Sequence, residues 1–269
     1  MELQTDGDQS TGADVRAAVQ RTRAQKTARL MLAWADGPVP EDADILSEGL
    51  VDFAPDRVWV RQRNATARMT ADGMTADSKV LRLFWRLYGR RWSERYLEGG
   101  AIFKRSRKDG TWSESRRGGA SLNAPKQLEH PLWLLGPLAR LRSDAEPLGD
   151  TELVRGVETT RYSISLSADE MSADHWRELA QPNAPGPRAY RWWRYWRPIR
   201  RSTIPAFVWL DRDGRIRRMG YESLCRVAQD PPEGVKAWTI TDFWDFGINI
   251  DLQRPKSGST PSAHPVVPP

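Results

Sequence analysis

Only one cysteine, Cys225, and three histidines, His130, His175 and His264, occur in these 269 residues. A lone cysteine excludes an intrachain disulfide and cannot build a zinc site. The histidines show no paired spacing such as HxxxH. No metal site, no cofactor and no catalytic residue is therefore expected. Walker A, GxGxxG and GxSxG motifs are missing, which leaves phosphate-loop and serine-hydrolase readings without support. No apolar run approaches the ~20 residues of a membrane span. Residues 1–14 are acidic and polar and lack the basic and apolar regions of a secretory signal. As it stands the chain is expected to be cytoplasmic or membrane-peripheral, and extracytoplasmic if an export signal is missing from it. Hydrophobic residues make up 39%, below the usual ~45–50%.

Tryptophan is abundant, at 13 residues against 6 Tyr and 6 Phe. Such rings bring large apolar area and one polar edge. The net charge is +6, with Arg supplying the excess, which favours anionic partners without choosing among phosphate backbones, acidic lipids and acidic proteins. Cys225, inside Leu224-Cys225-Arg226-Val227, reads as an inert packed thiol.

Along the chain, strand signals dominate. Residues 1–12 read as a disordered leader and 13–24 as a short helix with Thr11 near its cap. Lys26–Trp34 alternates, with Ala28, Leu30, Leu32 and Trp34 on one parity. Ile45–Phe53 and Val58–Arg63 flank the turn residues Ala54-Pro55-Asp56-Arg57. Trp92–Leu97 and Ala101–Arg105 flank Gly99-Gly100, a hairpin signal, and Thr111–Arg116 follows Asp109-Gly110. Leu128, Leu132, Leu135 and Leu138 recur at roughly helical spacing, shortened or kinked by Pro137. Strands at Glu146–Leu153 and Glu158–Leu166 meet at Arg155-Gly156, and Ala168–Ala180 reads as a helix. Ala206–Asp211 and Arg215–Tyr221 bracket Asp213-Gly214, and Val235–Phe243 alternates again. Hairpins without long linkers argue for one domain over 13–253. The Pro/Ser-rich stretch 254–269 reads as a disordered tail.

These strands and their punctuation resemble the LolA-like half-barrel proteins, in particular the actinobacterial LppX/LprG-type lipoproteins. The likeness rests on Glu48-Gly49-Leu50-Val51-Asp52-Phe53, on Glu98-Gly99-Gly100-Ala101-Ile102-Phe103 with Trp112-Ser113, on Val154-Arg155-Gly156 through Tyr162, on Val208-Trp209-Leu210-Asp211 through Arg218, and on Phe243-Trp244-Asp245-Phe246-Gly247 with Pro255. The resemblance implies an α+β fold: one strongly curved antiparallel sheet with a few helices on its concave side. It also implies that the space between sheet and helices accepts an acyl chain, and that catalysis is absent. This sequence differs in having no lipobox cysteine, an Arg- and aromatic-rich insertion at 182–203, and an added apolar and basic stretch near 79–92.

Three constellations bear on function. Arg188–Arg201 holds six Arg and five aromatics, with Arg at every third position from 188 to 200. On a helix this spacing gives a slowly drifting stripe of charge. Arg191, Trp192, Trp193, Arg194, Trp196 and Arg197 suit an anionic membrane surface, with rings in the interface and Arg on lipid phosphate. Ring stacking and backbone contacts also suit single-stranded nucleic acid, the less favoured partner. The other readings are an insertion that packs its rings on its own domain beside solvated Arg, and a protein partner. Lys79–Arg91 fits a helix with Lys79, Arg82, Arg86 and Arg90 on one face; it fits a strand equally by alternation, and a helix is favoured. Asp242 with Asp245, beside Asp211 and Asp213, is the best carboxylate cluster, but turn chemistry accounts for it better than acid–base work. Asn64-Ala65-Thr66 matches a glycosylation acceptor by chance.

The expected function is non-catalytic binding of a lipid or other apolar small molecule in a sheet–helix cavity. Its wall candidates are Leu132, Trp133, Leu135 and Leu138, with Leu81 and Trp85. The alternative is a cytoplasmic structural or regulatory interaction domain whose core is filled and holds no ligand.

Overall fold

In the segment Thr27–Ala35 (β1), Ala28, Leu30 and Leu32 share one parity, and in Val235–Trp244 (β12), Thr239, Thr241 and Phe243 do. Side chains alternate across a strand, so register decides which residues meet. Leu30 lies opposite Gly49 on one side and Phe243 on the other. The computed structural model describes residues 11–35, 44–63, 92–98, 101–106, 108–115, 131–167, 197–198, 203–226 and 235–259. Besides β1 and β12 these hold α1 (Thr11–Ala24), β2 (Asp44–Asp52), β3 (Arg57–Arg63), β4 (Trp92–Glu98), β5 (Ala101–Arg105), β6 (Trp112–Ser115), α2 (Leu135–Ala139), β7 (Ala145–Val154), β8 (Val157–Ser167), β9 (Arg197–Pro198), β10 (Thr203–Asp211) and β11 (Ile216–Arg226).

All strands join one 12-stranded sheet in the order β6-β5-β4-β3-β2-β1-β12-β11-β10-β8-β7, with β9 paired to the far end of β11. Among the described strands every pairing is antiparallel and the two edges do not meet. The architecture is thus an open antiparallel half-barrel of the α+β class. The last strand, β12, lies between β1 and β11 in the middle of the sheet.

The helix α1 buries Val15, Ala18, Val19 and Thr22, spaced as one helical face. That face packs on α2, β7 and β11. Three anchors hold it. The Arg16 guanidinium donates to the Leu141 carbonyl at 2.6 Å. Thr22 Oγ1 accepts from the buried Ile216 amide at 2.9 Å and donates to Ala18 O at 2.7 Å. Arg23 reaches the β2–β3 turn, donating to Phe53 O at 3.2 Å and Asp56 Oδ1 at 2.8 Å. Past the end of the helix, Lys26 takes a left-handed φ of 65°, the usual way out of a helix.

The inner face of the sheet forms one core with α1 and α2. It runs from Leu166 and Ile164 through Val208 and Met219 to Phe243, Leu30, Val51, Val58 and Leu97. A second cluster lies on the outer face, where Leu50, Trp59, Tyr96, Phe103 and Trp112 pack under Ile248, Ile250 and Leu252. Burial pushes the Tyr96 hydroxyl up to about 12, with help from Glu98. Residues 254–259, which begin the stretch expected to be a tail, lie along β6. The Trp112 amide donates to Ser259 O at 3.0 Å and Gly258 N to Trp112 O at 2.8 Å. The free edge of β6 is thereby occupied, one way of protecting an edge from foreign strands. At the other edge, β7 is interrupted by Pro147 and by a register shift before Thr151, near Gly149 at φ 75°.

Expectations for 1–10, for 79–91, for the helix over 168–180, for Asn64-Ala65-Thr66 and for the three histidines lie outside the described residues.

Candidate functional site

Four of the residues expected to line an apolar site come together. Leu132, Trp133, Leu135 and Leu138 all belong to the main core, and Leu135 and Leu138 are 0% exposed. The sequence predicts a short apolar helix or two turns within 128–141, shortened by Pro137, and the described part of that segment has this form. Residues 131–134 form turns and α2 spans Leu135–Ala139. Pro137 has no amide to give, and the last bonds span three residues, Arg140 N to Pro137 O at 3.0 Å and Leu141 N to Leu138 O at 3.3 Å. The segment is fixed to the sheet by the Trp133 ring, 4.8 Å from that of Tyr221, and by Thr241 Oγ1 donating to Pro131 O at 3.2 Å. The companions Leu81 and Trp85 lie outside the described residues. So do Arg191, Trp192, Trp193, Arg194 and Trp196; the backbone of Arg197 lies in β9 opposite Arg226.

Each of the four aspartates singled out in the sequence is held by arginine. Asp211 accepts from the amides of Asp213 and Arg215 at 3.0 and 2.9 Å, and from Nε of Arg215 and Arg217 at 2.9 and 2.7 Å. Burial pushes the Asp211 carboxyl up. The Arg215 amide and the two guanidinium groups outweigh burial and hold it below its ordinary value. Asp213 pairs with Arg215 at 2.5 Å. Asp242 takes a forked bond from Arg218 at 2.7 and 3.0 Å and a contact from Arg155 at 3.3 Å. Asp245 pairs with Arg29 at 3.0 Å. Such carboxylates are acceptors in ion pairs that fasten turns and strands. Among the described residues no group of three or more His, Cys, Asp or Glu is placed to hold a metal.

The outer face of β8, β10, β11 and β12 carries a second pattern that hairpin signals alone did not reveal. Trp209 Nε1 donates to Glu152 at 2.8 Å, and Glu152 also pairs with Arg161 at 3.0 Å. Arg161 and Arg218 lie over the Trp209 ring at 5.9 and 5.7 Å. Arg155, read from sequence only as a turn residue, stacks 3.8 Å from the Trp244 ring and touches Met31 Sδ at 3.0 Å. Alternating Arg and Trp on one strand parity was the available signal, since period 2 puts Arg161, Trp209 and Arg218 on one face.

A cleft of ≈ 350 Å³ opens on the inner side, between α1, β8 and the β10–β11 turn. Asp14, Arg21, Thr160, Tyr162 and Arg212 border it, together with Leu210 to Gly214. Burial, and then the Asp14 charge, raise the Tyr162 hydroxyl above its ordinary value of 10.0, so it is a neutral donor there.

No protein-family model and no curated protein sequence matches this chain. Ten chains of solved structure do. The lipoprotein LppX of Mycobacterium tuberculosis is 13% identical, with 90% of this chain and 98% of that chain covered and a TM-score of 0.46. LprF from Mycobacterium bovis is 10% identical, with 92% and 99% covered and a TM-score of 0.45. A LolA superfamily protein from Nitrosomonas europaea is 10% identical, with 91% and 96% covered and a TM-score of 0.28.

Proposed function

We propose that this protein is a non-catalytic binding protein for a lipid or another apolar small molecule, held against the inner face of the sheet. The observation that carries the reading is the width of that face. Eleven strands in a row at roughly 4.8 Å spacing span about 50 Å. Among the described residues two helices, each about 10 Å in diameter, lie against this face. The apolar inner face extends through Val60, Leu97 and Ile102, of which Val60 and Leu97 are buried. In this reading Leu132, Trp133, Leu135 and Leu138 are the packed wall of the site, and Leu81 and Trp85 belong to the same pocket. Each buried methylene of an acyl chain contributes about 0.8 kcal/mol, enough for a long chain to stay bound through purification.

Native mass spectrometry and organic extraction of the purified protein test this. The expected result is near-stoichiometric lipid, and a change in Trp emission when delipidated protein is titrated with fatty acid or phospholipid. Trace lipid with unchanged emission would instead support an interaction domain with a filled core. That second reading has its own support in the complete burial of Leu135 and Leu138.

The insertion at 188–201 adds a peripheral contact with anionic membranes. Each Arg near an acidic surface contributes about 1 kcal/mol, and interfacial rings add a part that salt does not remove. In liposome co-sedimentation, Ser at Arg191, Arg194 and Arg197 is expected to reduce binding to anionic vesicles with the fold intact. Ala at Trp192, Trp193 and Trp196 is expected to remove the salt-resistant fraction. Wild-type protein that ignores anionic vesicles but shifts single-stranded oligonucleotides would replace this contact with nucleic acid.

A further inference from the structure

The inner-side cleft concentrates polar groups that the fold itself does not use. Its acidic side chains divide into two sets. Asp211 and Asp213 are consumed by Arg215 and Arg217 in the β10–β11 turn. Asp14 is not, and neither are Arg21, Arg212, Thr160 and Tyr162: within the described residues none of these five side chains has a hydrogen-bond or ion-pair partner. Two guanidinium groups and two hydroxyls therefore face one free carboxylate across ≈ 350 Å³.

Arg21 is also positioned. Asp14 and Arg21 lie seven residues apart on α1 and so share a face of the helix. The Arg21 guanidinium rests on Gly214, where an added Cβ would stand 2.3 Å from Arg21 Nη1. With φ at +69°, Gly214 both makes the turn and leaves room for the cation. Thr22, next in sequence, fixes this end of α1 through the Ile216 amide. The floor is partly apolar, with Leu210 buried and Tyr162 packed against the main core.

We propose that this cleft is a binding site for a small phosphate-bearing polyol. Arg21 and Arg212 take the phosphate with charge-assisted bonds, the hydroxyls of Thr160 and Tyr162 donate to it or to the polyol, and the Asp14 carboxylate accepts from a polyol hydroxyl. Phosphate alone leaves Asp14 without a donor, and a neutral polyol leaves both arginines without an anion. The phosphate has two sources, a lipid head group and a free metabolite. The site does not depend on the apolar-ligand reading, and either stands if the other fails.

Calorimetric titration of the full chain at low salt tests it, with glycerol 3-phosphate as probe and glycerol and inorganic phosphate as comparators. Saturable binding of glycerol 3-phosphate is expected, with inorganic phosphate weaker and glycerol silent. Arg21→Gln with Arg212→Gln is expected to weaken binding about tenfold or more at an unchanged melting temperature, because both side chains are solvent-exposed. Arg212→Gln alone and Tyr162→Phe should each weaken it less, and Lys256→Gln, outside the cleft, should change nothing. A short-chain phosphatidylglycerol that binds more tightly than glycerol 3-phosphate assigns the site to a lipid head group; equal affinity assigns it to a free metabolite. No saturable binding up to about 10 mM, equal binding of glycerol, or full affinity in the double variant overturns the proposal.

Discussion

Gly49→Ala is expected to cost at least about 3 kcal/mol, and Gly49→Val to abolish the native sheet. Gly49 lies in β2 between Leu30 of β1 and Val60 of β3. A Cβ there would stand 1.9 Å from the Trp59 carbonyl oxygen and 2.8 Å from Val60 Cα. Both are backbone atoms, so no rotamer change relieves the clash; β3 itself has to move. Trp59 and Val60 sit on opposite faces, in the outer and inner clusters, and a shift of β3 therefore disturbs both. Typical domains have only about 5–15 kcal/mol of stability in total. Gly136→Ala in α2 is the control. Its nearest neighbour would be Arg140 Nη2 at 4.0 Å, and it should be neutral or stabilising by up to about 1 kcal/mol. Urea melts of the two variants against wild type decide the matter. A Gly49→Ala midpoint indistinguishable from that of Gly136→Ala would mean that β2 and β3 do not approach so closely.

Asp242→Ala is expected to cost about 3–5 kcal/mol. Its side chain is 1% exposed and carries the forked bond from Arg218, itself 12% exposed, and the contact from Arg155. Alanine leaves the Arg218 charge buried without its counter-ion, and that uncompensated charge supplies most of the loss. Arg155 is 34% exposed and can turn to water, so Arg155→Gln should cost much less. The loss should largely return when Arg218→Met is added to Asp242→Ala, because a buried pair replaced by apolar groups is often close to neutral. Asp245→Ala is the exposed comparison, with a side chain 51% exposed, and should change stability by about 0–1 kcal/mol. Equal losses at Asp242 and Asp245 in a thermal melt would show that burial is not what makes the first pair matter.

Most strands were legible because their signals are local. Asp213-Gly214 marked the β10–β11 turn, Arg155-Gly156 the β7–β8 turn, and the parity of Ala28, Leu30 and Leu32 the buried face of β1. The same parity in β3 and β10 hid a distinction. Trp59 and Trp209 also turned out buried, on the outer face, because the segment 248–252 covers the first, and Glu152, Arg161 and Arg218 surround the second. No local pattern announces such cover. The candidate site was legible in its residue types and less so in its shape. Leucines at helical spacing marked a core segment, and Pro137, read from sequence as shortening the helix, lies in a helix of five residues. The cleft was missed altogether, since its residues come from three separate segments, α1, β8 and the β10–β11 turn, and Tyr162 and Arg212 were read only as parts of hairpin motifs.

The placement of β12 has a consequence for how the chain reaches this structure. One meander runs from β1 to β6 and another from β7 to β11, and among the described strands the two are joined where β12 pairs with β1 on one side and β11 on the other. The pair Leu30–Phe243 closes a loop of roughly 200 residues, and such non-local pairing is slow because its loop-closure entropy is lost before the contact forms. During synthesis β1 waits with an unpaired edge until residue 244 has left the ribosome, and the inner core that spans both meanders cannot close before then. A nascent chain that halts before β12 has emerged therefore presents two half-sheets with open edges, the kind of species that chaperones bind and that aggregates when they do not.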